Sequence, residues 1–200
     1  TFTIKGTDKS VSLKEVAKAA FNSAKWPKTG FEGGLYENAT FKGEKDTYPN
    51  GCHICEVEVD PETGEVKMDR YSVVDDVGTV MNPIGLKGQI HGGVAQGVGQ
   101  ILSEQVMWDR ESGQLLTASF LDYAMPRADT MCSMEVKSNP VPTKYNPLGA
   151  KGAGEAGTVG AMPAVMNAVM DALAPLGVAD VLMPATAEKV WKAITKAKAK

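Results

Sequence analysis

The stretch HICEVEVDPETGEVKMDRYSVVDDVG, residues 53–78, decides how the middle of the chain folds. Apolar and polar residues alternate on both sides of DPETG, which is typical of two strands joined by a turn. We therefore predict a hairpin with strands over 54–59 and 66–77. Glu56, Glu58 and Asp60 fall on one side of it, which indicates that one face of the hairpin lies in water.

Helical patterns surround this hairpin. SVSLKEVAKAAF predicts a short helix with Ser12 as N-cap and Glu15 in capping-box position. NPIGLKGQIHGGVAQGVGQILSEQ, residues 82–105, has apolar residues near helical spacing despite many glycines. Two more helices are predicted, over 158–173 and after a cap at Thr186, the latter with inward-facing Val190, Trp191 and Ile194.

The remaining segments complete a mixed pattern. We predict a strand over 132–138, a hairpin-like element that turns at DRESG, and an extended loop from 23 to 50, which lacks a clear period. No repeat or domain boundary is visible. The fold class is therefore α+β, with mixed helices and β-hairpins in one domain over residues 1–200.

Composition excludes several classes of protein. Apolar residues make up 43% and charged residues 22% of the 200 residues, as in soluble globular proteins. The net charge of −3 argues against a nucleic-acid partner, and the basic tail 192–200 is interpreted as the solvated end of a helix. The apolar stretches fall short of the roughly 20 residues of a membrane span. Three sparse cysteines favour a reducing, cytoplasmic compartment, with export alongside a partner as the alternative.

Two small motifs have ordinary structural explanations. Cys52 and Cys55 form C-x-x-C, which can mark zinc or a redox dithiol, but no second cysteine pair accompanies them. We interpret them as two buried small side chains in a strand. His91, on the glycine-rich helix, is interpreted as a hydrogen-bonded core residue rather than a ligand or base.

The glycine-rich helix leaves two alternatives open. Its glutamines, among them Gln89 and Gln96, offer amides that donate and accept hydrogen bonds. Its glycines would let a flat, polar or phosphorylated ligand approach the backbone. They would equally let another element of the protein pack closely against the helix.

NPLGAKGAGEAGTVG, residues 146–160, holds one carboxylate, Glu155, among glycines at the mouth of a helix. A glutamate in a first turn is favoured by the helix dipole, which would be a purely structural role. The flanking glycines, Gly152, Gly154 and Gly157, leave this carboxylate unshielded, so in a site without water it can act as a general base. Both interpretations stay open on the residues alone.

Four motifs together carry a family resemblance: residues 48–83, GQIHGGVAQGVGQ at 88–100, FLDYAMPRAD at 120–129 and NPLGAKGAGEAG at 146–157. In this order they resemble the C-terminal part of the molybdopterin-binding large subunit of the xanthine dehydrogenase, aldehyde oxidase and carbon monoxide dehydrogenase family. The resemblance covers nearly the whole chain and implies the fold of that subunit's C-terminal cofactor-binding domain.

The resemblance implies a cofactor and its residues. The cofactor would be molybdopterin, in bacteria often the cytosine dinucleotide form, with molybdenum held through the pterin and by no residue of this chain directly. Glu155 would be the catalytic base beside molybdenum, and Gln96 would contact the pterin. The resemblance assigns further cofactor contacts, less specifically, to Gln89, Gly92, Gly93, Gly97, Lys151, Gly152 and Gly154.

The implied activity is that of a molybdenum hydroxylase. Such an enzyme oxidises an aldehyde, a purine or other N-heterocycle, or CO, with water as oxygen source. Electrons would pass to Fe–S clusters and FAD on partner modules, not on this chain. The family's upstream glycine-rich and substrate loops are absent from this sequence, so we expect a fragment or one part of a split subunit, active only with the missing part. The alternatives are a non-catalytic molybdopterin-binding or assembly module and a relic that binds nothing.

Overall fold

The computed structural model of the protein describes residues 1–28, 30, 33–43 and 45–199. The chain divides into two compact units, Thr1–Lys42 and Gly43–Lys200. The predicted loop over 23–50 contains no strand or α-helix in its described residues before Asn50, apart from a single 3₁₀ turn at Ser23–Lys25. Positions 29, 31, 32 and 44 of that prediction lie outside the described residues.

The first unit holds a small antiparallel pair, β1 (Phe2–Thr3) and β2 (Ser10–Val11), followed by helix α1 (Leu13–Ala20). The Ser12 hydroxyl accepts the Glu15 N–H at 3.2 Å, and the Glu15 carboxylate accepts the Ser12 N–H at 2.9 Å. The predicted capping box at the start of this helix is therefore confirmed.

The second unit is built on the predicted hairpin. β3 (Asn50–Val59) and β4 (Val66–Asp76) pair antiparallel across the DPETG turn. β5 (Met134–Ser138) pairs parallel with β4, so the sheet order is β3-β4-β5. The DRESG element is reduced to a single bridge between Trp108 and Leu115.

A β-bulge changes which side chains of β4 face inward. Glu56 pairs with Arg70 whereas Val57 pairs with Met68, so Asp69 is an extra residue without a partner on β3. An extra residue shifts the alternation of a strand by one position. Met68 before the bulge and Tyr71 after it are therefore both buried. The outer face carries mostly polar residues together with the exposed Ile54 and Val74, and Glu56 and Glu58 are exposed on it as predicted.

Three helices complete the second unit: α2 (Pro83–Leu102), α3 (Ala156–Leu173) and α4 (Ala187–Lys198). All three were predicted, and the Thr186 hydroxyl caps α4. Val190 and Ile194 of α4 are buried, but the prediction that Trp191 faces inward was wrong, since this side chain is 43% exposed. It lies at the edge of the core, beside the Gly64 turn of the hairpin. The lysines of the basic tail are exposed on α4, except Lys200, which lies outside the described residues.

Helices α2 and α3 pack on each other and α3 packs on β3, so sheet and helices enclose an α+β core, as predicted. One apolar cluster lies between the sheet, α2 and the first half of α3. A second cluster lies between the second half of α3 and α4. Their buried members include Tyr71, Val73, Ile90, Val94, Val98, Ala161 and Val165 in the first and Val169, Leu173, Val190 and Ile194 in the second.

The apolar run that contains α3 is longer than the sequence analysis predicted. The run Ala156–Leu176 is long and apolar enough, by length and composition alone, to cross a membrane. The statement that apolar stretches fall well short of this length was therefore wrong. Within the protein, every fourth residue from Gly157 to Leu173 is buried, and this stripe forms the contact with α2, β3 and α4.

The backbones of α2 and α3 meet directly at glycines. A Cβ atom on Gly157 would lie 2.6 Å from the carbonyl oxygen of Ile90 and 3.1 Å from the Cα of Gly93. A Cβ atom on Gly97 would lie 2.7 Å from the Cβ of Ala161. Only glycine permits such an approach, so these residues fix the start of α3 against the middle of α2.

Asp76, the last residue of β4, ties down the segment that leads to α3. Its Oδ1 accepts the N–H groups of Gly78 at 2.8 Å and Val141 at 2.9 Å, and its Oδ2 accepts the Lys151 ammonium. The hydrogen bond from Lys151, followed by that from Val141, lowers the pKa of Asp76 to about 2. Both side chains are largely buried.

We expect Gly157→Ala to lower the free energy of unfolding by about 1–3 kcal/mol, because the added methyl overlaps the α2 backbone. Gly92→Ala is the matched control. Nothing lies within 4 Å of a Cβ there, so alanine should raise helix stability by roughly 0.5–1 kcal/mol. Urea unfolding of both variants checks this, and equal stability of G157A and the unmodified chain would contradict the close contact.

We expect Asp76→Asn to destabilise the chain at neutral pH by about 1–2 kcal/mol. A carboxylate with a depressed folded-state pKa stabilises the fold above its unfolded pKa of about 4. That stability is lost as pH falls through about 2. The difference between the variant and the unmodified chain should therefore shrink between pH ~4 and ~2 in urea unfolding. Glu135→Gln, which removes an exposed pair with Lys137, is the control and should change little. A pH-independent difference would contradict this account.

Candidate active site

The loop that precedes α3 is pinned at several points. The Asn146 amide donates to the Ala150 carbonyl at 2.8 Å and accepts the Ala150 N–H at 3.2 Å. The Lys151 N–H donates to the Val77 carbonyl at 2.8 Å. Gly149 has φ +68°, and a Cβ there would lie 2.9 Å from both Pro142 and Thr79. The segment that delivers Glu155 is therefore fixed to the end of β4 rather than loose.

Glu155 stands at the N-cap of α3, but its side chain forms no capping hydrogen bond. The residue is exposed. A favourable interaction with the helix dipole needs no such bond, so the geometry leaves both interpretations of Glu155 open. Its side chain lines a cavity of about 210 Å³ together with Pro49, Asn50, Gly51, His53, Asp75, Ala156, Val159 and Gly160.

The exposed face of α2 meets the start of α3. The Gln89 amide nitrogen donates to the Gly154 carbonyl at 3.0 Å, and the Gln96 amide oxygen accepts the Thr158 hydroxyl at 3.1 Å. Gly92 lies between these glutamines on the same helix face, at three- and four-residue spacing. We call Gln89, Gly92, Gln96, Gly154 and Glu155 the rim, since together they form one exposed surface across both helices.

The glycines predicted at this surface divide into two groups. No atom lies within 4 Å of a Cβ built on Gly92 or Gly154, and at Gly152 the nearest is the Thr47 carbonyl oxygen at 3.8 Å. Gly93 and Gly97 are instead buried in the contact with α3. The close-packing explanation of the glycine-rich helix therefore holds for Gly93 and Gly97, whereas the approach of a ligand to the open backbone at Gly92 stays a prediction.

Lys151 was predicted to lie near the cofactor or its phosphates. In the structure its ammonium forms an ion pair with the Asp76 carboxylate, and only 12% of the Lys151 side chain is exposed. Its charge is thus already neutralised, and the contact holds the loop.

The cysteines and His91 differ in part from the predictions. Cys52 is exposed, so the prediction of two buried thiols was wrong for it, because its strand position points away from the helices. Burial raises the pKa of the half-buried Cys55 to about 12, which makes it a poor redox thiol. His91 Nε2 is buried without a hydrogen-bond partner among the described residues, so a fully hydrogen-bonded imidazole is not what the structure shows. No group of three or more His, Cys, Asp or Glu that could hold a metal occurs within the described residues.

Sequence reasoning missed a polar network beneath Glu155. His53 Nδ1 lies 2.8 Å from the Tyr71 hydroxyl, and His53 Nε2 lies 3.2 Å from Asp75 Oδ1. The alternation of inward- and outward-facing residues along β4 could have predicted this network. Tyr71, Val73 and Asp75 share its inward face, so the pattern places a charged residue among buried neighbours.

Comparison with known proteins finds a matching family and similar sequences. The family described as "Molybdopterin cofactor-binding domain" matches residues 1–132. The large subunit of nicotine 6-hydroxylase from Paenarthrobacter nicotinovorans is 42% identical over 191 residues, which are 95% of this chain and 23% of that protein.

Two solved structures share the fold. CO dehydrogenase from Oligotropha carboxidovorans superposes with a TM-score of 0.85 at 34% identity, over 94% of this chain and 23% of that one. Quinoline 2-oxidoreductase from Pseudomonas putida 86 superposes with a TM-score of 0.82 at 36% identity, over 92% of this chain and 23% of that one. The chain thus spans about a quarter of the length of these relatives, and its fold is that of their corresponding segment. With the family match over residues 1–132, the chain belongs to the molybdopterin cofactor-binding domain family.

Proposed function

We propose that this chain is the part of a molybdenum hydroxylase that holds the molybdopterin cofactor and supplies its catalytic base. The observation that carries the proposal is the rim, where the hydrogen bond from the Gln89 amide to the Gly154 carbonyl joins the exposed face of α2 to the backbone directly before Glu155. Family membership and the hydroxylase and dehydrogenase relatives support it.

The rim has the chemistry that a pterin would need. Gly92 and Gly154 leave the backbone open, which suits a flat polar ring system. The Thr158 hydroxyl is shared between the Gly93 carbonyl at 3.0 Å and the amide oxygen of Gln96 at 3.1 Å, and this contact does not use the Gln96 amide nitrogen, which can donate to a ligand. Gln89 donates to Gly154 through its nitrogen, which leaves its oxygen to accept. The rim therefore offers a donor and an acceptor on either side of an open glycine.

The other predicted cofactor residues have different tasks in this proposal. Gly152 belongs to the open part of the loop and lies close enough to approach the cofactor. Gly93 and Gly97 act by holding α2 against α3, and Lys151 acts by holding the loop against β4. These three residues position the rim without touching the cofactor.

The bound cofactor would supply the two-electron redox centre at which an oxygen atom from water is added to the substrate. Glu155 would take up the proton that the attacking oxygen loses. The fixed loop holds its carboxylate in place, and the absence of a capping bond leaves its oxygens available for this task. The glycines beside it let the cofactor and the carboxylate approach closely.

The complete enzyme would contain the remaining part of this subunit and Fe–S and FAD partners, in the cytoplasm, with the pterin as mononucleotide or cytosine dinucleotide. The substrate classes are an aldehyde, a purine or other N-heterocycle, or CO. An N-heterocycle has the most support, because nicotine 6-hydroxylase is 42% identical to this chain, against 36% for two CO dehydrogenase large chains.

We expect Glu155→Gln, introduced into the complete enzyme, to reduce turnover by at least about 10², the usual effect of losing a general base. Molybdenum content, measured by elemental analysis, should stay unchanged because the glutamine keeps the shape of the site. Glu58→Gln, on the exposed outer face of β3, is the control and should keep full turnover. Near-normal turnover of E155Q would remove Glu155 from the mechanism.

We expect Gly92→Leu to reduce the molybdopterin content of the complete enzyme by at least about tenfold, which corresponds to ~1.4 kcal/mol of lost binding. Leucine at this open position favours the helix but covers the rim. Pterin content is measured as its fluorescent oxidation product. Asn167→Leu, at an exposed position of α3 outside the rim, should retain the cofactor. Full pterin content in G92L would place the cofactor elsewhere.

A further inference from the structure

The cavity beside Glu155 brings three titratable side chains together from three elements. Glu155 comes from the start of α3, His53 from β3 and Asp75 from β4. The other lining residues, from Pro49 to Gly51 and from Ala156 to Gly160, do not titrate. The proposed mechanism uses only Glu155 of this set.

One carboxylate oxygen of Asp75 lacks a hydrogen-bond donor among the described residues. Only 2% of the residue is exposed, and one carboxylate oxygen, Oδ1, is bonded to His53. The other oxygen, Oδ2, is buried without a hydrogen-bond partner among the described residues. A buried carboxylate oxygen without a donor is costly, because it has given up its hydrogen bonds to water and gained none in return. The cavity of about 210 Å³ that Asp75 lines has room for donors, since one water occupies roughly 30 Å³ in the liquid.

The hydrogen bonds of His53 define its protonation. Tyr71 is fully buried, and burial raises the pKa of its phenol, so the phenol keeps its proton and donates to His53 Nδ1 at 2.8 Å. His53 Nε2–H then donates to Asp75 Oδ1 at 3.2 Å. The Cys55 and Cys132 thiols near Tyr71 have raised pKa values through burial and stay neutral. Asp75 and Glu155 are the acidic side chains that line this cavity.

Two glycines make room for this network. A Cβ on Gly160 would lie 2.5 Å from the His53 ring, and a Cβ on Gly51 would lie 1.8 Å from Asp75 Oδ1. Neither glycine has a positive φ, so neither is required by its backbone conformation. Both instead admit the histidine–aspartate pair between the sheet and α3, five residues along the helix from Glu155.

We propose that this cavity is a water-filled proton outlet, in which ordered water links Glu155 to the Asp75–His53 pair. The inference rests on the proposed function. Oxidation of the substrate by water releases two protons and two electrons, and the electrons leave through the Fe–S and FAD partners. A proton taken up by Glu155 must leave before the next turnover.

The transfer moves a proton and no electrons. The O–H bond of the Glu155 carboxyl group breaks as a new O–H bond forms on water, and this water, bonded to Asp75 Oδ2, passes a proton to the pair. The pair changes from one negative charge to neutral, and it then gives the proton to a further water of the cavity, which carries it to solvent and restores the negative charge. Asp75 and His53 are thus proton-transfer and positioning residues, and Glu155 remains the catalytic one.

Asp75→Asn in the complete enzyme tests the outlet, because it keeps the shape but removes the basic oxygen. We expect unchanged molybdenum and pterin content and a kcat lowered by about tenfold, within the range for losing a proton-transfer group. The slowing in D₂O should increase. The pH–rate profile should change as well, since this side chain can no longer take up a proton.

Val159→Phe is the second variant, since Val159 lines the cavity from α3 and a phenyl ring there would displace water while both residues of the pair stay unchanged. Like Asp75→Asn, it should lower kcat and increase the slowing in D₂O. Asn167→Phe, at an exposed position of the same helix, is the control and should do neither. If D75N loses cofactor or fails to fold, the kcat and D₂O effect of V159F test the proton outlet in its place.

A crystal structure of the complete enzyme gives a readout apart from turnover. It should show ordered water at hydrogen-bond distance from Asp75 Oδ2, and a dry cavity would overturn the outlet. If E155Q loses turnover while D75N and V159F keep normal kcat, pH profile and D₂O effect, the outlet is wrong and the proposed function stands. If E155Q keeps turnover, the proposed function itself fails.

Discussion

The direct backbone contact between α2 and α3 is the constraint on which the rest of the structure depends. Gly157 and Gly93 let the two helices approach so closely that no Cβ fits between them. This contact places the N-terminus of α3 beside the exposed face of α2, where the Gln89 and Gln96 side chains bond to it. The same contact places α3 against β3. The buried stripe of α3 then contributes side chains to both apolar clusters. The glycines thus serve the core and the rim at once.

The sheet contributes a second, polar support. The bulge at Asp69 turns Tyr71 and Asp75 inward, and their hydrogen bonds hold the His53 ring under Gly160. At the end of the same strand, Asp76 holds the loop through Lys151. Glu155 is therefore positioned from two directions, by the loop that precedes it and by the helix that it begins. A carboxylate positioned in this way needs little rearrangement to meet a reacting group.

Much of the fold was predictable because its signals are local. The alternation of 53–78 gave the hairpin, and the caps at Ser12 and Thr186 gave the helix starts. The rim was predictable only through a family resemblance, since spacing alone could not separate Gly92, which is open, from Gly93, which is packed. The burial of the Lys151 charge and the network at His53 depend on contacts between residues far apart in sequence. Trp191 was placed wrongly because helical periodicity cannot tell the centre of an apolar face from its edge.

The rim has one further consequence, for the order in which the protein matures. The hydrogen bonds that join α2 to the start of α3 link residues 65 positions apart, both at Gln89 and at Thr158. Contacts between such distant residues form late in folding, because the chain between them must first be ordered. The surface proposed to receive the cofactor therefore does not exist in partly folded chains. Loading would have to follow closure of the helix pair, so a nascent chain could not use the cofactor as a template for its own folding.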